Sequence, residues 1–418
     1  DTVEYTTRSD WSKGWEPIES LTPTEAMMVG LTDQLYELTE NEGDGSGITW
    51  GADNGMKLID MMQFDENGNY AGALDFDDPM WDQLLDQMSF EDMSLLVNLG
   101  GWQTAQIDSV GKVATSDCDG PAGVNNFITG TYGTPYPTEV LMAQTWNTDL
   151  LYDLGLAMGQ EYADVNNYGV YGPAMNTHRS AFAGRNFEYY SEDGVLAGKL
   201  AAAQVNAMAT KGTYNYIKHF ALNDQETNRC AFLLTYSNEQ AIREIYLKPF
   251  ELCIKNFDGT QIAVMSSFNW IGTVPACANE DTLTTILRNE WGFQGMVITD
   301  YDGSYGYMIT DHCVRTGNDL MLGFSSQASN QLTNTESATL NNALRTSCKN
   351  IMYTIANSGY YTNTTDDSGM SNMTKLFVTI DVVTVLLVVL CMALVIVRYR
   401  KKHAKTAAEV TPEEKKEE

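Results

Sequence analysis

The chain has 418 residues, 43% of them hydrophobic, and a formal net charge of -30 at pH 7, so it can bury a large core and is not a disordered chain. Its acidity excludes a nucleic-acid partner, which needs a basic surface to meet phosphates. A neutral or cationic substrate is compatible with the charge, which otherwise serves solubility.

Short apolar runs ending in polar groups recur along the chain. Residues 113–116 lead into Asp117, Asp119 and the turn Gly120-Pro121; residues 168–175 lead into Asn176, His178 and Arg179. Tyr214 to Phe220 alternates small and bulky residues, places Lys218 and His219 at its C-terminal end, and is followed by a polar loop through Asn223, Asp224, Gln225, Glu226, Asn228 and Arg229. Residues 261–267 lead into Asn269, and residues 296–299 into Asp300 and Asp302. Each reads as a strand with chemistry at its C-terminal end. Between them, residues 139–161, 194–210, 238–256, 279–290 and 337–357 have helix-like composition. Strands alternating with helices predict a parallel sheet, and roughly 250 residues close a TIM-like (β/α)8 barrel, an α/β fold. Residues 81–360 supply that length, and the barrel's active site is expected in the loops after the strands.

Residues 376–397 form an apolar run interrupted only by Asp381 and two Thr, long enough to cross a bilayer as a helix. Arg398, Arg400, Lys401, Lys402 and Lys405 follow it and Lys375 alone precedes it. The bias predicts a cytoplasmic tail, residues 398–418, basic and then acidic, with the barrel outside and residues 361–375 a polar linker. The seven Cys show neither a Cys-x-x-Cys pair nor His-spaced partners, so no metal or other cofactor is indicated and they read as small buried apolar residues. The chain begins at Asp1 without a signal peptide, which an exported domain needs, and is therefore expected to be a piece of something longer. Of the 22 Tyr and 8 Trp, most are expected in core and rim, with a few offering flat faces to sugar rings.

Six ordered motifs carry a resemblance. Ser116-Asp117-Cys118-Asp119-Gly120-Pro121-Ala122-Gly123, Met175-Asn176-Thr177-His178-Arg179, Gly184-Arg185-Asn186-Phe187-Glu188-Tyr189-Tyr190-Ser191-Glu192-Asp193, Lys218-His219-Phe220, Ser266-Ser267-Phe268-Asn269 and the run from Trp291 to Asp300 are similar, in this order, to the barrel domain of glycoside hydrolase family 3, β-glucosidase type. The resemblance covers about residues 80 to 325 and implies a retaining β-glycosidase acting on terminal β-linked sugars of an oligosaccharide or β-glucoside. It implies Asp300 as the nucleophile, Asp119, Arg185, Lys218 and His219 as binders of sugar hydroxyls, and Arg229 as a charge partner of Asp119 or the nucleophile. Nearby cations are expected to favour the ionised Asp300 that this chemistry needs. Phe268 and Tyr301 stand where the family often has Tyr and Trp, which bears on substrate preference. Glu188, Glu192 and Asp193 are expected to cap and pair at a helix start.

The loop after Phe220 contains no His, which disfavours the related branch acting on N-acetylglucosaminides. The acid/base Glu of the glucosidase branch resembles a donation from a separate α/β sandwich domain. Residues 1–80, with Trp50-Gly51-Ala52-Asp53-Asn54-Gly55 and Asp77-Asp78-Pro79-Met80-Trp81, resemble the connector arriving from such a domain in a permuted member. The acid/base is thus expected upstream, with Glu226 and Glu188 the first candidates within the chain. Two alternatives remain: a membrane-anchored carbohydrate-binding protein, impaired in catalysis without that domain, and a metal-dependent barrel enzyme. Retention of Asp300 argues against the first, and the scarcity of His, with only His178 and His219 near the motifs, against the second.

Overall fold

A computed structural model describes residues 48–303, 305–324, 331–362 and 372–408. The chain divides into two compact units, residues 1–365 and 366–418. Residues 1–47 of the expected connector, most of the expected linker and the tail beyond 408 lie outside the described residues.

The first unit is a TIM-barrel-like ring of parallel strands, β1 Asp117–Asp119, β2 Gly169–Tyr171, β3 Tyr214–Phe220, β4 Ile262–Ser266 and β5 Val297–Ile298, each hydrogen-bonded to the next in chain order. β5 pairs in turn with Leu320. Closure differs from the expected eightfold alternation. Residues 97–104 complete the ring, with Gly100 N–H donating to Met321 O at 3.0 Å and Asp117 N–H to Trp102 O at 2.9 Å. A Cβ on Gly100 would lie 2.3 Å from the Met321 carbonyl oxygen, so this close approach requires glycine. Trp102 takes a positive φ of 55° and turns the chain so that its far side runs antiparallel to residues 115–117. Seven segments, not eight regular strands, therefore surround the barrel among the described residues.

Helices alternate with the strands: α1 Phe90–Asn98, α2 Glu139–Ala143, α3 Thr148–Asp164, α4 Gly194–Ala209, α5 Lys248–Lys255, the π-helical segment Asp281–Glu290, α6 Thr310–Arg315 and α7 Ala338–Ala356. The helix expected over 139–161 is broken because Asn147 caps α3, its side chain accepting from the N–H groups of Asp149 and Leu150. That expected over 238–256 restarts at α5, where Pro249 falls in the first turn and needs no backbone partner. The strand expected over 113–116 is displaced into β1. Val113 N–H donates to the Tyr361 hydroxyl and Ser116 N–H to that of Tyr360, so those donors are taken by side chains.

Period-2 alternation along β3 sorts its side chains. Tyr214 and Tyr216 join the core shared with Met265, Ile298 and α7, whereas Ile217 packs with α4 and α5 residues on the other face. The start of the strands is held by polar groups. Asp117 is fully buried and accepts from the Tyr214 and Tyr216 hydroxyls. Lys112 is equally buried and donates to Thr104 Oγ1, Ala105 O and Val113 O. Asp117 is thus a structural carboxylate at the opposite end of β1 from Asp119. Within residues 48–80, Leu58 and Met61 lie in the same core as Trp81, Ile351 and Ile355, so this part of the connector packs on the barrel. All seven Cys are free thiols, and Cys118, Cys253, Cys277, Cys313 and Cys348 are buried.

In the second unit, α8 Asn372–Ala408 is a single helix. Within it, Val382–Lys401 has a mean hydropathy of 2.7 and is long and apolar enough to cross a membrane by length and composition.

Candidate active site

The C-terminal ends of the strands and the following loops bring the expected residues together. Asp300 follows β5, held by Thr299 N–H donating to Leu320 O, and is 7% exposed. Its Oδ1 accepts from Tyr301 N–H at 2.8 Å. Its Oδ2 lies 3.6 Å from Arg229 Nη1 and 3.7 Å from His219 Nε2. Arg229 therefore serves Asp300; no ion pair with Asp119 occurs among the described residues. The guanidinium lies 4.4 Å from the centre of the Phe268 ring, and Phe268 itself is buried. Its ring supports Arg229 by a cation–π contact rather than forming an open sugar platform.

Lys218 and His219 end β3 as the alternation predicts. Asn176 clamps the His219 backbone, its Oδ1 accepting from His219 N–H and its Nδ2 donating to His219 O. Burial, then Arg185, Lys218 and Arg229, hold the His219 imidazole well below its usual pKa, so this ring is uncharged and its contact with Asp300 is not an ion pair. Lys218 Nζ lies 3.2 Å from Glu188 Oε1, while Arg185 holds Glu188 through Nε and Nη2 at 2.6 and 2.7 Å. Glu188 thus pairs, as expected, but with two site cations. Burial opposes its ionisation, yet Lys218 and Arg185 win and leave its pKa below the ordinary value. Asp193 caps α4.

Glu226 Oε2 receives Arg229 Nε at 2.9 Å and lies 3.9 Å from Arg185 Nη1. Its other oxygen accepts from Asn223 Nδ2 at 3.0 Å. Asp119 is partly open, and its Oδ2 accepts from the Trp102 indole N–H at 3.0 Å. The Trp102 ring lies 5.7 Å from that of Tyr301, so Asp119 and Tyr301 share one aromatic wall.

The cations do not have the expected last word on Asp300. Burial raises its pKa, and Arg229, the Tyr301 N–H, Arg185 and Lys218 only partly offset it. Desolvation by burial outweighs charges at 3.6 Å and beyond. Asp300 Oδ2, Arg229 Nη1 and His219 Nδ1 are all buried without a hydrogen-bond partner among the described residues. Buried polar groups are normally satisfied, and hydroxyls, which both donate and accept, suit this mixture of donors and acceptors.

The sequence offers Glu188 and Glu226 as acid/base candidates, whereas the structure pairs both with site cations. Spacing gave no signal for Trp102, since only the turn at its own positive φ returns it to Asp119. Asp224, in the loop after β3, is pushed up to about 6 by burial against the pull of Arg179, and nothing in its composition foretold this.

The sequence matches the family description "Glycosyl hydrolase family 3 N terminal domain" over residues 104–327. It is 40% identical over 245 residues to beta-glucosidase A of Butyrivibrio fibrisolvens, covering 57% of this chain and 29% of that protein. It is 35% identical over 245 residues to a beta-glucosidase of Rhizobium radiobacter, covering 58% and 29%. The fold is similar to beta-glucosidase 3B from Thermotoga neapolitana in complex with glucose, with a TM-score of 0.60, 31% identity and coverage of 71% and 45%. It is also similar to the Kluyveromyces marxianus beta-glucosidase in complex with glucose, with a TM-score of 0.61, 28% identity and coverage of 72% and 36%. The chain spans less than a third of the length of these curated relatives.

Proposed function

The chain belongs to glycosyl hydrolase family 3, and on that premise we propose that its barrel is the glucosyl-binding and nucleophilic half of a retaining β-glucosidase. The observation that carries this reading is the convergence of Arg229 Nη1 and His219 Nε2 on Asp300 Oδ2, at 3.6 and 3.7 Å, beside the cations Arg185 and Lys218 that hold Glu188. The beta-glucosidase relatives and the glucose complexes of similar structures support a β-glucosyl substrate.

In this reading Asp119, Arg185, Lys218 and neutral His219 bind the sugar hydroxyls, and Arg229 favours the ionised form of Asp300 against the effect of burial. The Asp300 carboxylate forms a bond to the anomeric carbon as the bond to the leaving oxygen breaks, giving a covalent glycosyl-enzyme. Water then takes the glycosyl group from Asp300 and returns the free carboxylate. In a longer parent that carries the acid/base, Asp300→Ala should lower turnover by several orders of magnitude with the fold intact; turnover within tenfold of that parent would refute the role.

The leaving oxygen needs a proton donor. Glu188 is bound by two cations and pushed down, the opposite of what a general acid needs. Glu226 is fixed between Arg229 and Arg185. We place the acid/base on a domain beyond this chain, of the sandwich kind that the family resemblance implies. The 418-residue chain should then hydrolyse disaccharides very slowly, yet accept glycosyl from a dinitrophenyl glucoside and be released by azide, which needs no base. Disaccharide turnover equal to that of a longer parent would place the acid within the chain.

Residues 376–397 are proposed as a membrane anchor, with the barrel on the outer face and residues 398–418 cytoplasmic, on the length of the apolar helix and the basic residues that follow it.

A further inference from the structure

Glu139 opens helix α2, where an acidic residue ordinarily favours the helix N-terminus while remaining in water. Here it is fully buried, and among the described residues no other residue hydrogen-bonds its carboxyl oxygens, which have only the Glu139 backbone N–H close by. Helix α2 packs against the turn Asn186–Glu188 and against α4. From the turn and its flanks, Glu188, Arg185 and Tyr190 act on this carboxyl, and from β3, Lys218. Lys199, the one charged residue of α4, is exposed to solvent. A buried carboxyl with no partner beyond its own backbone costs stability that an apolar side chain of similar size would not. Its position behind the Glu188, Arg185 and Lys218 cluster offers a reason for keeping it.

We propose that Glu139 is a positioning residue for the sugar-binding cations: its uncharged carboxyl leaves Glu188 as the anion that aims Lys218 and Arg185, and its ionisation withdraws both cations from the sugar. This rests on the reading that the cluster binds a glucosyl unit. Burial pushes the Glu139 carboxyl up to about 8 against its own backbone N–H, with Glu188 adding to the effect and Lys218 and Arg185 opposing it. Near neutral pH one of the two neighbouring carboxyls is therefore charged. Above that value a second buried anion repels Glu188 and competes for the same ammonium and guanidinium. The sign follows from linkage: the binding-competent form carries the proton, so affinity is full below the Glu139 pKa and falls as pH rises through it.

The test is glucose binding by calorimetry to the full chain across the neutral and alkaline range, for wild type, Glu139→Gln and Glu139→Leu. The wild-type Kd should rise about tenfold per pH unit above the Glu139 pKa, the limit for release of one proton. Glu139→Gln, which keeps shape and polarity without the titration, should stay flat within about threefold over the same interval. Melting temperatures give a second readout, since the wild type should lose stability relative to both variants as pH rises from the ordinary carboxylate range to about 8 and level off above it, Glu139→Leu serving if the Gln variant does not fold. Superimposable pH profiles of wild type and variant would overturn the proposal and leave the glycosidase reading standing. Absence of glucose binding by the wild type at every pH would remove both.

Discussion

Replacing Arg229 with Met removes the guanidinium whose Nη1 lies 3.6 Å from Asp300 Oδ2. Two unit charges at that separation attract by roughly 4 to 5 kcal/mol at an effective dielectric near 20, and by about 1 kcal/mol at that of water. The side chains are 21% and 11% exposed, so some screening applies, and roughly 1 to 3 kcal/mol is the range to expect, or about one to two pKa units. Burial already raises Asp300, and Arg229 is the largest opposing influence, so its loss must raise that carboxyl further. Attack needs the ionised form, which is lost as pH falls through the Asp300 pKa. The acid limb of glycosylation should therefore move to higher pH by about one to two units in Arg229→Met. The plateau should also fall, because Arg229 holds Glu226 at 2.9 Å. The assay is the rate at which a dinitrophenyl 2-deoxy-2-fluoro-glucoside adds its sugar to the chain, followed by intact mass as a function of pH. A lowered plateau with an unmoved acid limb would refute the electrostatic role and leave Arg229 as packing alone.

Lys112 offers a test at the other end of the barrel, where burial pulls its pKa down to about 7 against the pull of Asp117. The unfolded chain holds that proton up to the ordinary lysine value, so wild type should gain stability over Lys112→Met as pH rises above about 7, by up to ~1.4 kcal/mol per unit. Parallel denaturation midpoints across that interval would show that the ammonium is not penalised. For topology, protease added to intact cells should remove the barrel and leave a stub bearing Arg398 and the residues after it; protection until lysis would reverse the orientation.

Much of the site was legible because a charged group at the end of an apolar strand has few explanations. Lys218, His219 and Asp300 stand where that pattern placed them. The ring closure was not legible, since it depends on Gly100 approaching the Met321 carbonyl and on Trp102 turning at positive φ, and neither leaves a periodic trace. Residues 113–116 failed as a strand because the Tyr360 and Tyr361 hydroxyls, more than 200 residues away, accept their backbone donors. Glu188 illustrates a deeper limit. Beside a helix start it reads as a capping and pairing acid, and its burial against Lys218 and Arg185 is a tertiary fact. Desolvation is likewise invisible in a motif, which is why the cations near Asp300 promised a lowered pKa and the packing gives a raised one.

The central claim, that Asp300 forms the covalent bond to sugar, is tested most directly by peptide mapping after reaction with a dinitrophenyl 2-deoxy-2-fluoro-glucoside. The fluorine slows release of the glycosyl-enzyme, so the adduct survives digestion. One fluoroglucosyl mass on the peptide containing Asp300, absent in Asp300→Ala, is the predicted result. The same mass on a peptide carrying Glu188, Glu226 or Asp119 would contradict it.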